Sequence, residues 1–438
     1  FIVAVAIYDV LQRRHAILRV FPVVGHLRFL LEAVGPELRQ YIITGNAIEK
    51  PFSRDQRRWI YSSAKGTDNH FGFGTSNDLE ATPGYLIIRQ SPFPISNPRP
   101  GAPGYDPDHR LPVAKVLGGP RDRAKAFRMP SAINISSMSY GSLSSAAVTA
   151  LNRGAALAGC IQGTGEGGIS PYHREGGDLT LQIGTAYFGC RDGSGNFSLP
   201  RLIDVVDANP TIRSIEIKVS QGAKPGLGGL LPAAKITPEV AEMRGIPVGV
   251  DCVSPASHTA FTDEDSLLDF VELLATTTGL PVGIKSAVGD ESFFVRLADL
   301  MISRERGVDF MTIDGGEGGT GAGPLTFVNH VALPFKVGFS HVYRIFAERD
   351  LTDDLVFTGS GRLGLPHYAL LAFALGCDSI NVGREAMLAA GCIQAQRCHT
   401  GTCPTGVTSN NWWRMRGLDP ESEHLCSRRA KDDSLLRR

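Results

Sequence analysis

Short apolar runs alternate with helical patterns between residues 130 and 382, and this alternation is the main structural signal in the chain. Each run is followed by glycines and then by a helical stretch, such as 266–277 or 367–375. The predicted strands are Ala132–Ile135, Gly159–Ile161, Ile215–Lys218, Val248–Val250, Val282–Ile284, Phe310–Ile313, Leu355–Phe357 and Ser379–Val382. Alternating strands and helices indicate a parallel sheet, and eight units is the number that closes a barrel. The predicted fold class is therefore α/β, a (β/α)8 TIM barrel, with a doubly wound open sheet as the alternative.

The residues before and after this alternation have a different character. Residues 26–125 mix short helical patterns with loops rich in Pro and Gly, such as Asn97–Gly101, and neither a strand period nor a helix period persists. We interpret them as an N-terminal extension that wraps the barrel, which we place at residues 126–412. Residues 413–438 become highly charged and predict a loose C-terminal tail.

The first residues form an apolar run, Phe1–Ile7, which is too short to cross a bilayer, because a spanning helix needs about twenty residues. Arginines follow the run, as is typical of the cytoplasmic side of a membrane helix; they are Arg13, Arg14, Arg19 and Arg28. We interpret residues 1–25 as the end of a truncated membrane anchor, with a buried N-terminal helix as the alternative. The predicted localisation is the cytoplasmic face of a membrane, or the cytoplasm.

The overall charge excludes one class of partner. Lys and Arg number 44 and Asp and Glu number 44, so no net field would gather a polyanion, and nucleic-acid binding is not expected. Fifty glycines and 8% aromatic residues favour many tight turns and close backbone approaches to a ligand.

Glycines cluster after three successive predicted strands, at 314–321, 358–361 and 383–384. The carboxyl ends of barrel strands carry the chemistry of this fold, and loops there commonly bind phosphate through backbone N–H groups. A single glycine pair would usually mark a turn, but the repetition favours a phosphate-binding cup.

Three of the eight cysteines lie within twelve residues, and the remaining five are scattered. This distribution indicates a reduced compartment with a metal site rather than a disulfide framework. Cys392, Cys398 and Cys403 follow the spacing C-x5-C-x4-C, which suits an iron-sulfur centre with three protein thiolates, a 3Fe-4S cluster. Zinc is the alternative, but it needs a fourth ligand, and the adjacent His399 cannot easily point at the same ion as Cys398.

Five stretches together resemble the FMN-binding synthase domain of the glutamate synthase family. They are Ile135–Ser144, Gly163–Gly168, Lys218–Gly226, Asp314–Pro324 and Gly391–Val407. The resemblance implies that reduced FMN delivers a hydride to 2-iminoglutarate, formed from 2-oxoglutarate and ammonia, while a 3Fe-4S cluster relays electrons to the flavin. It also implies that Lys285 lies beside flavin N1, where a cation stabilises the reduced ring; a surface ion pair is the alternative.

The resemblance implies two further groups of site residues. The expected cofactor-binding residues are Ser136, Ser137, Met138, Ser139, Thr164, Gln182, Lys285, Asp314, Gly318, Gly319, Thr320, Gly359, Ser360, Gly361, Gly383 and Arg384. The expected substrate-binding residues are Lys218, Gln221, Lys224 and Arg244, because a dicarboxylate needs cationic and donor groups. Glu166, Lys218 and Lys285 are the expected catalytic residues; Glu166 would orient ammonia or protonate the imine, with an ordinary turn carboxylate as the alternative.

The chain departs from the larger synthases in ways that bear on its partners. No amidotransferase region precedes the barrel, so glutamine-derived ammonia would require a separate amidotransferase subunit. Leu227 and Leu230 stand where larger synthases tend to carry polar residues. No second nucleotide-binding unit is recognisable, so ferredoxin or another electron-donor protein is expected. An activity that uses methylamine and makes N-methylglutamate, and a membrane-associated flavin and iron-sulfur electron-transfer subunit, are the alternatives.

Overall fold

The computed structural model describes residues 1–93, 98–103, 105 and 111–420. Within these residues the chain divides into two compact units. The first contains residues 1–59 and 71–81, and the second contains residues 60–70 and the chain from residue 82 onward.

The first unit is helical and exposes much of its apolar surface. Its helices are α1 (Ile2–Leu11), α2 (Ala16–Val20), α3 (His26–Leu38), the π-helical turn Arg39–Ile43 and the first half of α4 (Arg54–Lys65). The exposed apolar side chains include Ile2, Val3, Ile7, Leu11, Leu27, Leu30, Leu31, Ile42 and Ile43. In the part of the chain that the structure describes, no helix is both long and apolar enough to cross a bilayer. The membrane anchor therefore stays a prediction.

The second unit contains a closed barrel of eight parallel strands. In chain order they are β1 (Ile133–Ile135), β2 (Gln162–Gly163), β3 (Leu179–Ile183), β4 (Ile212–Lys218), β7 (Val282–Ser286), β8 (Phe310–Asp314), β9 (Val356–Ser360) and β10 (Ser379–Val382). Each pairs with the next, and β10 pairs with β1 in the register Ile133↔Ile380. A short antiparallel ribbon, β5 (Leu230–Leu231) and β6 (Cys252–Val253), lies in the connection from β4 to β7. The barrel prediction is confirmed, and the open sheet is wrong.

Helices follow the strands and have clear sequence signals at their ends. They are α5 (Ser145–Ala158), α6 (Leu199–Asp207), α7 (Pro238–Arg244), α8 (Glu264–Thr278), α9 (Ser292–Met301), α10 (Leu325–His330), α11 (Phe335–Ala347), α12 (Pro366–Ala374), α13 (Arg384–Ala389) and α14 (Trp412–Met415). Helix α8 begins after Asp263, which exchanges capping hydrogen bonds with Ser266, and ends at Gly279 with φ 74°. The two helices predicted at 266–277 and 367–375 are confirmed within two residues at each end.

Two of the eight predicted strands need correction. Val248–Val250 forms an exposed turn rather than a strand, because three residues centred on a glycine with φ 81° cannot bury a strand face. The strand missing from the prediction is β3, whose Leu179, Leu181 and Ile183 alternate with polar residues. The run Gly159–Ile161 ends one residue before β2 begins. The predicted number of strands was therefore right because one false strand replaced one missed strand.

The amino end of the barrel is closed by the segment that precedes β1. Leu117 bridges Phe127 in an antiparallel pair, and Leu117 and Met129 pack with Phe310 in a small apolar cluster. Arg123 lies beside this cluster and pairs with Asp309 at 3.0 Å. The amino end is therefore sealed, and the carboxyl ends of the strands are where a ligand can enter.

Candidate functional site

The predicted site residues gather at the carboxyl ends of the strands. Ser136–Ser139 follow β1, Thr164 and Glu166 follow β2, and Gln182 lies near the end of β3. Lys218 is the last residue of β4, Lys285 lies one residue before the end of β7, and Asp314 ends β8. In the connection after β4, Gln221 and Lys224 lie in the loop and Arg244 ends α7. Gly318, Gly319 and Thr320 follow β8, Gly359 and Ser360 end β9, and Gly361 follows it. Gly383 follows β10, and Arg384 begins α13.

Glu166 is surrounded by cations. The Lys218 ammonium lies 2.6 Å from Glu166 Oε2 and donates a hydrogen bond to Gln221 Oε1 at 3.0 Å. Lys224 and Arg244 are buried and act electrostatically on the same carboxylate. Gly229 allows this close packing, since a Cβ there would lie 2.0 Å from Glu166 Oε1.

The charges around Glu166 do not balance. Burial raises the pKa of Glu166, but Lys218, Lys224 and Arg244 outweigh it, and the net pKa lies below the ordinary value, so the group is a carboxylate at neutral pH. Burial lowers the pKa of Lys224 to about 8. Arg244 Nη2 donates to Ser139 Oγ at 3.2 Å, whereas its buried Nε has no hydrogen-bond partner among the described residues. Three buried cations facing one carboxylate suit an anionic ligand that brings two negative charges.

Lys285 forms a second charged cluster, at the position of β7 that pairs with Lys218 of β4. Its ammonium lies 3.6 Å from Asp314 Oδ2, which also accepts the Gly222 N–H at 2.9 Å. Burial acts to lower the pKa of Lys285, but Asp314 and Glu216 outweigh it, and the net pKa is raised. Lys285 is therefore a fixed cation at neutral pH, and the surface ion pair considered for it is wrong because only 7% of the residue is exposed.

Glu216 is a site residue that the sequence analysis missed. Its Oε1 accepts hydrogen bonds from Gln182 Nε2 at 2.6 Å and Ser137 Oγ at 3.3 Å, and its Oε2 accepts from Thr312 Oγ1 at 2.7 Å. A charged residue between two isoleucines of a strand was the available signal, since residues two apart share a face and Glu216 precedes Lys218 by two.

The glycine loops after β8, β9 and β10 converge. Gly315 N–H donates to Ser360 O at 2.9 Å, which joins the first two loops. Arg384 donates to the Glu317 carbonyl, and a Cβ at Gly319 would lie 2.8 Å from Arg384 Cδ, so the third loop contacts the first. Glycine backbone and a guanidinium at adjacent strand ends fit a phosphate, and the nearby cation Lys285 fits a reduced flavin ring.

The other expected cofactor residues line the mouth of the barrel between β1 and β3. Ser136 N–H donates to Val382 O at 2.8 Å, and Met138 N–H to Gly163 O at 3.4 Å. Thr164 Oγ1 accepts the Gln182 N–H at 3.0 Å. Thr320, after β8, accepts from Gln221 Nε2 at 3.4 Å, so the expected cofactor and substrate residues meet there.

The cysteine loop brings two of its three thiols into one environment. Although burial raises the pKa of Cys403, hydrogen bonds from Thr408 and Thr405 lower it below the ordinary value. Burial raises the pKa of Cys398, against the lowering effects of Lys235 and Thr408. Cys392 Sγ accepts the Gln394 N–H at 3.4 Å. No group of three or more His, Cys, Asp or Glu side chains that could hold a metal ion occurs within residues 1–93, 98–103, 105 and 111–420.

Two residues that the sequence analysis missed hold this loop. Lys235 Nζ donates to Cys398 O at 2.9 Å and to Ser142 O at 2.7 Å, which ties the cysteine loop to the loop after β1. Tyr61 donates to Cys392 O at 2.8 Å. Thiols beside a buried ammonium fit an anionic iron-sulfur cluster, and the fit is better for Cys398 and Cys403 than for Cys392.

Comparison with known proteins places the chain in a family. The family model described as the conserved region in glutamate synthase matches residues 113–423. A glutamate synthase large subunit-like protein, YerD of Bacillus subtilis, is 35% identical over 95% of this chain and 84% of its own length. An archaeal glutamate synthase [NADPH] of Methanocaldococcus jannaschii is 32% identical over 68% of this chain, which spans 56% of that protein.

A third relative extends the comparison to much longer enzymes. A ferredoxin-dependent glutamate synthase of Cyanidium caldarium is 35% identical over 47% of this chain, and this match covers only 13% of that protein. The chain thus spans most of one relative, about half of the archaeal one and a small part of the ferredoxin-dependent one. With the matched region extending across the barrel and the cysteine loop, this chain belongs to the glutamate synthase family.

Proposed function

We propose that this protein is an FMN- and iron-sulfur-dependent oxidoreductase that converts 2-oxoglutarate and ammonia to L-glutamate through 2-iminoglutarate. The observation that carries the proposal is the cluster of three buried cations around Glu166, next to the fixed cation Lys285 at the mouth of the barrel. A pure electron relay needs no such cradle for a dicarboxylate. Membership of the glutamate synthase family supports the same chemistry.

The carboxylates of the substrate would bind to Lys218, Lys224 and Arg244, with Gln221 as an additional donor. The unpartnered Nε of Arg244 supports this role, because a buried donor without an acceptor costs stability until a ligand supplies one. Because its pKa is lowered, Glu166 is a carboxylate that can accept hydrogen bonds from ammonia and orient it beside the oxoacid. A proton released as ammonia adds to the oxoacid could be taken up transiently by Glu166 and donated to the imine nitrogen.

The cofactors would be held by different parts of the mouth. Bound FMN supplies hydride transfer, and a 3Fe-4S cluster supplies one-electron transfer. The converging glycine loops and Arg384 would hold the FMN phosphate, and Gln182 and the residues 136–139 would line its ring. Lys285 would stabilise negative charge on the reduced ring. Cys392, Cys398 and Cys403 would hold the cluster.

We propose ferredoxin or another electron-donor protein as the source of electrons, and free ammonia or a partner amidotransferase subunit as the source of nitrogen. Methylamine in place of ammonia would give N-methylglutamate by the same steps. A nucleic-acid partner is not proposed, because the formal net charge is zero.

A membrane-associated electron-transfer subunit is the second candidate function, favoured by the first unit. Helices α1 and α3 expose Ile2, Ile7, Leu27 and Leu31, and arginines occur between and beside these residues. Such a surface suits the interface of an anionic membrane. The proposed location under this function is the cytoplasmic face of the membrane.

The decisive experiment is turnover of the purified, FMN-loaded protein with dithionite as reductant, 2-oxoglutarate and either 15N-ammonium or methylamine. We expect labelled glutamate, detected by mass spectrometry. Glu166→Gln should lower kcat roughly a hundredfold or more, since general acid–base groups contribute at least that much. Glu175→Gln, at a carboxylate paired with Arg153 away from the strand ends, is the matched control and should leave kcat unchanged. A flavin that is reduced and reoxidised while neither amine gives a product would refute the synthase and favour the electron-transfer subunit.

A further inference from the structure

His258 occupies a buried position beside the end of β4, in the connection from β4 to β7. The residue is 6% exposed, and its ring stacks on Phe261 with a centroid distance of 4.7 Å and an interplanar angle of 24°. Its two nitrogens make different contacts. Nδ1 lies 3.2 Å from Tyr187 Oη, and Nε2 lies 3.0 Å from the backbone oxygen of Lys218.

The contacts of Tyr187 determine which nitrogen of His258 carries the proton. The hydroxyl oxygen of Tyr187 accepts hydrogen bonds from Thr259 N–H at 2.9 Å and Ala260 N–H at 3.0 Å. These two bonds use both lone pairs of the oxygen, so the hydroxyl proton is directed to His258 Nδ1. Nδ1 is therefore the acceptor, and Nε2 carries the hydrogen that is donated to the Lys218 carbonyl.

The carbonyl that accepts this hydrogen bond belongs to Lys218, the last residue of β4 and part of the proposed substrate site. Beyond Lys218 the strand ladder ends, with Val219 N and Ser220 N both directed to Lys285 O at 2.9 and 3.2 Å. The orientation of the Lys218 peptide sets the direction of its side chain, which lies 2.6 Å from Glu166. Burial lowers the pKa of His258, with Lys218 and Glu166 as the charged groups acting on it, so the ring is neutral as the hydrogen-bond pattern requires.

We propose that His258, locked by Tyr187 in the tautomer protonated at Nε2, is a positioning residue that fixes Lys218 for binding of the oxoacid. The inference rests on the proposed function, because it gives Lys218 the role of a substrate ligand. His258 itself need not touch the substrate. Its effect is on binding, and FMN content does not depend on it.

Three variants of the FMN-loaded protein test the hydrogen-bond relay from Tyr187 through His258 to the Lys218 carbonyl. The measurement is calorimetric titration with 2-oxoglutarate. His258→Leu removes the donor, and Tyr187→Phe removes the hydroxyl that selects the tautomer. Each should weaken binding about three- to tenfold, the effect of one lost intramolecular hydrogen bond, with FMN content unchanged. His258→Gln keeps an N–H donor near the position of Nε2 and should retain most of the affinity. His341→Gln, at a half-exposed histidine paired with Glu291, is the control and should bind as the wild type does.

Two further measurements separate positioning from a general loss of structure. In the His258→Leu background, Tyr187→Phe should cost little additional affinity, because the relay acts through the imidazole. In protein labelled with 15N-histidine, the signals absent from His258→Gln should show a neutral ring with Nε2 protonated, and this preference should weaken in Tyr187→Phe.

The outcomes distinguish the two proposals. Wild-type protein that binds no 2-oxoglutarate would refute the proposed substrate. The 15N signals of His258 would then test the hydrogen-bond relay by themselves. A wild-type ring protonated at Nδ1 or at both nitrogens would overturn the relay. Wild-type affinity in a folded His258→Leu variant would overturn the positioning role while leaving the proposed function intact.

Discussion

His173 should make the protein sensitive to acid. The residue is fully buried at the end of the short turn Pro171–His173, which follows the loop after β2. Its Nδ1 lies 2.8 Å from Ser170 Oγ and 3.2 Å from Ser170 N, whose N–H it accepts, so a proton added at Nδ1 would break the hydrogen bond from that N–H. Burial lowers the pKa of His173 to about 4 from the ordinary value of 6.5, against the raising effect of the carbonyls of Met138 and Thr164.

The sign and size of the effect follow from proton linkage. As the pH falls below 6.5 the unfolded chain takes up a proton at this residue, while the folded chain does so only near pH 4. Stability is therefore lost progressively between these two values. A difference of about 2.5 pKa units corresponds to about 3 kcal/mol. For a folded unit of roughly 300 residues, with an unfolding entropy of roughly 0.6 kcal/mol/K, this lowers Tm by about 5 °C.

The test compares wild-type protein with His173→Asn, whose side-chain oxygen can still accept the Ser170 N–H but cannot be protonated in this range. Thermal unfolding from pH 7 to pH 4.5 at constant ionic strength covers most of this window and should show a fall in Tm that is about 4 °C smaller in the variant. His341→Gln, at a half-exposed histidine, should follow the wild-type curve. Flavin fluorescence, which increases on release of FMN, should report the same difference, since Met138 and Thr164 belong to the proposed flavin site. Parallel curves for wild type and His173→Asn would refute the reasoning.

Two other predictions concern the proposed cofactors. Lys285→Met removes the buried cation, so the reduced flavin should be destabilised about tenfold, which lowers its midpoint potential by about 30 mV. Lys336→Met, at an exposed lysine, is the control and should leave the potential unchanged. An unchanged potential in Lys285→Met would exclude contact between Lys285 and the flavin ring. Cys398→Ser should abolish the electron paramagnetic resonance signal of the three-iron cluster and lower the bound iron, while FMN is retained. The control Cys190→Ser should keep its iron. Full iron content in Cys398→Ser would contradict the assignment of Cys398 as a ligand.

The fold could be predicted from local patterns because most barrel strands are short apolar runs followed by glycines. This signal failed where a strand is polar on one face, as in β3, and where two valines flank a glycine without packing neighbours, as at 248–250. The charged site residues were expected from the family resemblance rather than from a local pattern, and the barrel geometry explains why they lie together. Strand ends in a barrel converge, so Lys218, Lys285 and Asp314 could be expected to meet although nearly a hundred residues separate the first from the last.

The supporting residues could not be predicted in this way. His258 contacts Lys218 across 40 positions of sequence, and Tyr61 contacts Cys392 across 331. Such contacts depend on how the loops fold over the barrel, and the hydrophobic periodicity of the sequence does not predict the conformation of loops. Glu216 is an intermediate case. Its position two residues before Lys218 predicts that the two side chains lie on the same face of β4, but its contacts with Gln182 and Thr312 could not be predicted from the sequence.

The connection between β4 and β7 has a consequence for how this enzyme could diversify. This connection carries the two-stranded ribbon β5 and β6, and it also carries four of the residues discussed above, Gln221, Lys224, Arg244 and His258. The groups proposed to hold phosphate and iron lie elsewhere, after β8 to β10. Exchange of this connection between relatives could therefore change the oxoacid that is proposed to bind, as long as Lys235, which lies on the same connection and holds the cysteine loop, is kept.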